Sequence, residues 1–199
     1  MIAVLGSINL DLIATTPRLP EPGETLAGHT FATAPGGKGA NQALAAARAG
    51  AVVRMFGCVG NDEMAGQALA ELDEAGIDLE GVTRENESTG VAIILVDDSG
   101  ENAITIVAGA NGMVDEVIAE ECVADLEPGD ILMLQQEIPA VAVRAALQLA
   151  AGTIDTARTV TGFFVDQEHL LVDADEHQCA DMIRHPMRLP GGCPGRPAG

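Results

Sequence analysis

The sequence predicts an α/β fold with a largely parallel sheet and a small antiparallel lid beside it. Three observations carry that reading. Short apolar runs, most of them bounded by Gly, Pro or Asp, alternate with Ala-rich stretches at helical spacing. Two further apolar runs flank Asp97-Asp98-Ser99-Gly100 and break that alternation as a hairpin would. An apolar share of 47% in 199 residues buries a core and excludes a disordered chain. At ~100–200 residues per domain, that length is one domain, or one with an appendage.

The elements follow in order. Residues 2–5, Ile-Ala-Val-Leu ended by Gly6, read as a buried strand. A second apolar stretch, 10–14, follows Asn9, and Pro17, Pro20, Pro22 and Gly23 mark a loop. Residues 25–33 alternate loosely as a strand. After Pro35-Gly36-Gly37, residues 41–49 are Ala-rich and helical, ended by Gly50. Residues 52–59 form the next strand. Residues 62–75 set Met64, Ala68, Leu69, Leu72 and Ala75 at helical spacing, with Gly76 as the stop. Residues 89–96 and 103–107 make the hairpin. Residues 115–124 are helical, Pro128-Gly129-Asp130 punctuates, 131–134 is a buried strand and 139–151 an Ala-rich helix.

After about residue 151 the character changes. Residues 151–199 hold three of the four His (His169, His177, His185) and two of the four Cys. The last 14 residues contain four Pro and four Gly, a composition that continues neither helix nor central strand. This tail is expected to be poorly ordered.

The formal charge is −20, from 30 acids against ten bases, of which nine are Arg and one is Lys38. Residues 1–150 carry −17 of it. Such a charge repels nucleic acid and anionic membranes. No apolar run approaches the ~18 residues of a membrane span, and no leader pattern opens the chain, so a cytoplasmic location is expected. Two origins fit the acidic, Lys-poor composition. One is adaptation to high internal salt, where a Debye length of ~3 Å at molar salt mutes repulsion between carboxylates. The other is a GC-rich genome, which favours Arg over Lys. No C-x-x-C pair is present; Cys58 and Cys122 lie in apolar surroundings and read as core residues.

Two segments point to chemistry. Pro35-Gly36-Gly37-Lys38-Gly39-Ala40-Asn41-Gln42 combines glycines, which admit close backbone approach, with a following helix N-terminus and the sole Lys. It is not a P-loop, because Gly39 follows Lys38 where Ser or Thr is needed. Nor is it a dinucleotide fingerprint, because Gln42 stands where a third Gly belongs. A tight turn entering a helix accounts for it equally. Gly6-Ser7-Ile8-Asn9-Leu10-Asp11 places Asn9 and Asp11 just past the first strand, where α/β sheets bind ligands. Both side chains suit sugar hydroxyls.

These segments resemble the PfkB-type, ribokinase-like family of carbohydrate kinases. The resemblance continues through Pro22-Gly23-Glu24-Thr25, Gly57-Cys58-Val59-Gly60-Asn61-Asp62, Glu87-Ser88-Thr89-Gly90-Val91-Ala92 and Ala108-Gly109-Ala110-Asn111, and ends near Gln135-Gln136-Glu137-Ile138-Pro139. It covers residues 1–150. It implies a Rossmann-like parallel sheet with helices on both faces and an antiparallel β lid, with lid strands near 10–33 and 89–107. It implies transfer of the ATP γ-phosphate, with Mg2+, to a hydroxyl of a small-molecule sugar, ribose to ribose 5-phosphate first. Asn9, Asp11 and Glu137 would hydrogen-bond hydroxyls. Gly37, Lys38, Gly39 and Asn41 would form a loop on the sugar's far side. Ala92, Ile94 and Ile106 would be the lid's apolar wall. Lids of this family commonly pair into a homodimer.

The family's second half supplies an Asn-x-x-Glu segment and a Gly-Ala-Gly-Asp segment carrying the catalytic base. Neither occurs here, and Gly129-Asp130 reads as a turn. The chain is thus expected to be a truncated form of the family domain, with a divergent or frame-shifted tail at 151–199, and inactive as it stands. The alternatives are a kinase for another sugar or a nucleoside, a non-catalytic sugar-binding or dimerisation module, and a fragment that does not fold alone. In the tail, the spacing of His169, His177, Cys179 and His185 matches no closed zinc pattern. Asp97-Asp98 and Glu120-Glu121 read as solvated faces.

If salt adaptation shaped the composition, the thermal midpoint falls as salt is dialysed away. A midpoint indifferent to salt from molar to millimolar leaves base composition as the explanation.

Overall fold

The computed structural model describes residues 1–153, 158–162 and 171–173. The expectations for the rest of the tail, its poor order and its His/Cys cluster included, lie outside these residues.

A six-stranded sheet forms the body. Its strands are β1 (Ile2–Leu5), β4 (Val53–Gly60), β5 (Val82–Glu85), β8 (Ile131–Gln135), β9 (Arg158–Gly162) and β10 (Leu171–Asp173), in the order β10-β9-β8-β1-β4-β5. All pairings are parallel except β10 with β9. Alternate residues of β1 point to opposite faces. Ala3 and Leu5 join Leu132 and Leu134 under α3 (Glu116–Ala124) and α4 (Ala140–Thr153). Val4 joins Val53 and Met55 under α1 (Lys38–Arg48) and α2 (Glu63–Glu74). Helices therefore cover both faces, as expected. Cys58 and Cys122 are buried in the first of these cores, and burial pushes both thiols up to about 12.

The second sheet is the lid, with strands β2 (Asn9–Thr16), β3 (Thr30–Gly36), β6 (Gly90–Asp97) and β7 (Asn102–Val107) in the order β3-β2-β6-β7. It is mixed, which corrects the expected antiparallel lid. The two hairpins are antiparallel, but their junction, β2 with β6, is parallel. The cause lies in the connections. β2 follows β1 and β6 follows β5, so both leave the same end of the main sheet in the same direction. The Asp97-to-Gly100 turn closes β6 onto β7 as the sequence indicates, with Gly100 at φ 87°.

Several boundaries move, two of them beside the site. The first helix begins at Lys38 instead of 41, and the strand before it runs to Gly36 instead of ending at 33. β5, a 3-10 turn at Gly109–Met113, and β9 and β10 within the expected tail were not anticipated.

The lid is anchored to the body at Asp62. This residue caps α2 by accepting from Ala65 N at 3.0 Å. It also accepts from Thr89 N at 2.8 Å and Thr89 Oγ1 at 2.7 Å, while Thr89 Oγ1 accepts from Gly60 N at 3.0 Å. Burial works against the Asp62 charge, but these donors outweigh it and hold its carboxyl below the ordinary value. Asp62→Ala removes a helix cap and leaves the Thr89 amide and hydroxyl protons without their acceptor. It is expected to destabilise the chain by about 2 kcal/mol, read as a lower urea midpoint at unchanged slope. An unchanged midpoint removes the anchor's stabilising role.

Candidate functional site

β1 lies between β4 and β8, and the chain reaches these neighbours through helices on opposite faces. Such a reversal opens a crevice beyond the strand's carboxyl end, the usual ligand position in an open α/β sheet. Here the crevice is lined by the residues after β1, after β8 and at the start of α1.

Close backbone contact sets its floor. Gly37 precedes α1 at φ 91°, and Gly39 sits so near Gly6 that an added Cβ would come within 2.6 Å of the Gly6 carbonyl carbon. The helix N-terminus is thereby drawn onto Ser7. Ala40 N donates to Ser7 O at 3.0 Å and Gly39 N to Ser7 Oγ at 3.4 Å. Ser7 Oγ donates to Glu137 Oε2 at 2.8 Å, and Gln135 Oε1 accepts from Ser7 N at 3.2 Å. Glu137 also accepts from Lys38 N at 3.5 Å, so its charge faces the positive end of the α1 dipole. Lys38 Nζ pairs with Glu137 Oε1 at 3.1 Å.

Lid register fixes the rest. Asn9 stands opposite Gly36 and Gly90, and Asp11 opposite Ala34 and Ala92. Ala92 stands opposite Ile106, and Ile94 opposite Ile104 and Ile13. Directly paired residues share a sheet face. The lid residues Ala92, Ile94 and Ile106 therefore lie on the same face as Asn9 and Asp11. Ala92 is buried, Ile94 half-buried and Ile106 exposed. Asp11 is half-buried, with its carboxyl over the Cα of Gly36, where a side chain would collide with it. Burial, and then the Glu137 carboxylate, raise the Asp11 carboxyl above its ordinary value.

Most of the sequence-selected residues thus converge: Asn9, Asp11, Gly37, Lys38, Gly39 and Glu137. Three details differ. Lys38, Gly39 and Asn41 belong to the first turn of α1 and not to a loop, because the glycine contact with Gly6 starts the helix early. Asn41 is exposed, and its side chain has no hydrogen bond among the described residues. Glu137 is already partnered by Ser7 and Lys38. Sequence reasoning passed over Ser7, Gln135 and Asn111. All three lie inside the quoted segments, which is the signal that was available. No three His, Cys, Asp or Glu among the described residues are grouped to hold a metal ion.

Comparison with known proteins agrees with the fold. The profile described as pfkB family carbohydrate kinase matches residues 1–184. Ribokinase from Schizosaccharomyces pombe is 44% identical over 156 residues, covering 75% of this chain and 49% of that protein. Ribokinase from Thermotoga maritima superposes with a TM-score of 0.71 at 32% identity, covering 80% of this chain and 51% of the other. Arabidopsis thaliana ribokinase, solved with ribose and ATP, gives 0.66 at 30% identity, covering 80% and 52%. The chain spans about half the length of the curated relatives it matches.

The raised Asp11 carboxyl has a consequence for stability. A carboxyl that titrates higher in the folded than in the unfolded chain stabilises the fold in its protonated form. That stabilisation is complete below the unfolded value and is lost as pH rises through the folded one. Asp11→Asn is therefore expected to raise the melting temperature at neutral pH. The gain should shrink on acidification and vanish below about pH 3.9. A variant that melts lower at pH 7 contradicts this electrostatic picture.

Proposed function

We propose that this chain, which belongs to the pfkB family of carbohydrate kinases, is a ribokinase-like carbohydrate kinase polypeptide whose residues 1–150 bind a sugar. The observation that carries the reading is the convergence of Asn9 and Asp11, on one face of the lid, with Glu137 at the switch point.

The roles follow from the geometry. Asn9 and Asp11 bind hydroxyls from the lid side. Gly37 and Lys38 approach from the α1 side, and Lys38 screens Glu137 so that three acidic and amide groups share a small crevice. Ala92, Ile94 and Ile106 form an apolar wall that excludes water when the lid closes, which phosphoryl transfer requires. Ribose is the first candidate sugar, since the named relatives are ribokinases; another sugar or a nucleoside is the alternative.

ATP is the donor that the family implies, with Mg2+ as its counterion. No residue described here combines a free carboxylate base with a helix N-terminal anion site beside the sugar crevice, so no transfer step is assigned to this chain. Its own residues bind and orient the acceptor. Positioning a hydroxyl does not by itself activate it.

A second copy of the chain is the proposed partner. The edge strand β7 is exposed along its whole length, and Phe31 and Ile93 are exposed on one lid face. An uncovered apolar edge of this kind favours pairing.

Two measurements on the purified 199-residue chain test the proposal. Titration calorimetry should show saturable heat with ribose, and Asp11→Ala should abolish it. Incubation with ribose and Mg-ATP should yield no ribose 5-phosphate. Absence of ribose heat overturns the sugar reading, and turnover overturns the inactivity.

A further inference from the structure

The Asn111 side chain stands against Ile8 as a neighbouring strand would. Its Oδ1 accepts from Ile8 N at 2.8 Å, and its Nδ2 donates to Ile8 O at 3.1 Å. The same Nδ2 donates to Asn9 Oδ1 at 2.8 Å. Asn111 is 1% exposed and Asn9 3%. The space for this amide pair exists because residue 90 is glycine. A Cβ there would come within 2.2 Å of Asn111 Nδ2 and 2.4 Å of Asn9 Oδ1.

Side-chain amides ordinarily allow two orientations that exchange oxygen for nitrogen. Here the backbone removes that freedom. The Ile8 N–H donates only, so it must meet the Asn111 oxygen. The Ile8 carbonyl accepts only, so it must meet the nitrogen. The second proton of that nitrogen then needs an acceptor, and Asn9 answers with Oδ1. Asn9 Nδ2 must lie on the other side of its own amide. Among the described residues, the one polar side-chain atom both sealed from solvent and unpartnered is Gln42 Oε1. Asn9 Nδ2 is thus not fully sealed, although Asn9 as a whole is buried, and Asn9 shares its lid face with Asp11.

We infer that Asn111 is a positioning residue that fixes the polarity of the sugar site, holding Asn9 so that it offers hydrogen-bond donors beside the Asp11 acceptor. This inference rests on the sugar-binding reading for its ligand but not for its geometry. A donor and a carboxylate side by side suit a free hydroxyl, whose oxygen accepts from Asn9 while its proton goes to Asp11. An ether at that position leaves the Asp11 carboxylate unpaired, and a deoxy carbon leaves both groups unpaired. The chemical class selected is a polyol or furanose with a free hydroxyl there.

Nuclear magnetic resonance of the full chain tests this without any ligand. The Asn111 side-chain amide protons should exchange with water more slowly than those of Asn9. The reverse pattern overturns the proposal. Asn111→Asp retains an acceptor for Ile8 N but has no donor, so Asn9 should flip. One of its amide protons should then move downfield and exchange slowly on the new carboxylate. An unaltered Asn9 signal in a folded Asn111→Asp chain overturns the proposal as well. Ribose affinity should fall about 30-fold in that variant, the factor for one buried polar group left unpaired. If Asn111→Asp does not fold, the exchange pattern of the unmodified chain decides. If the unmodified chain shows the expected exchange but binds no ribose, the polarity assignment stands and the sugar reading alone falls.

Discussion

The docking of α1 on the end of β1 is the contact from which the rest of the site is arranged. It requires that neither Gly6 nor Gly39 carry a side chain, and that Gly37 adopt a conformation rare for other residues. Once the helix end reaches Ser7, that residue joins three parts of the chain. Its carbonyl and hydroxyl receive the α1 amides, its own amide finds Gln135, and its hydroxyl reaches Glu137. The helix dipole, the sole lysine and the β8 carboxylate are then within hydrogen-bond distance of one another. Each would be costly to place there alone, since an unpaired half-buried carboxylate or amide loses water without a replacement.

Asp11 is the exception to this mutual satisfaction. Glu137 and Asp62 are partnered, Glu137 by Ser7 and Lys38, Asp62 by Thr89 and a helix amide. Asp11 is half-buried, faces another negative charge and receives no such support. A chain of charge −20 has no shortage of exposed places for a carboxylate. One held in an unfavourable field, beside Asn9 on the same lid face, is what the proposed sugar site would use, an external hydroxyl supplying the missing hydrogen bond.

The body of the fold was legible because its signals are local. Alternating burial along β1, the stop at Gly76 and the Asp97-to-Gly100 turn each depend on neighbours within a few residues. The residues that meet at the candidate site stood out too: Asn9 and Asp11 by type and place after β1, Lys38 as the sole lysine, and Glu137 by its place after β8. What the sequence did not show depends on distant pairing. The parallel joining of β2 and β6 follows from where two strands leave the body, which no periodicity records. The roles of Ser7 and Asn111 depend on partners 130 and 103 residues away. An asparagine that completes a backbone ladder looks, in sequence, like any turn residue. The early start of α1 was missed because Gly39 is a poor helix former, and packing against Gly6 overrides propensity.

The placement of β1 at the centre of the sheet also governs the order of assembly. Its register partners are residues 53–56 on one side and 131–134 on the other. Ile2 thus waits for residues about 50 and 130 positions later before its ladders are complete. Loop closure over such spans slows folding, since chain entropy is lost before distant contacts compensate. During synthesis the lid hairpins and the β1–β4 pair form from chain already made, whereas Ser7 lacks Gln135 and Glu137 until β8 emerges. The crevice therefore acquires its shape only after β8 has emerged, and a nascent chain stalled before residue 131 presents the helix end and lid without the carboxylate that pairs with Lys38.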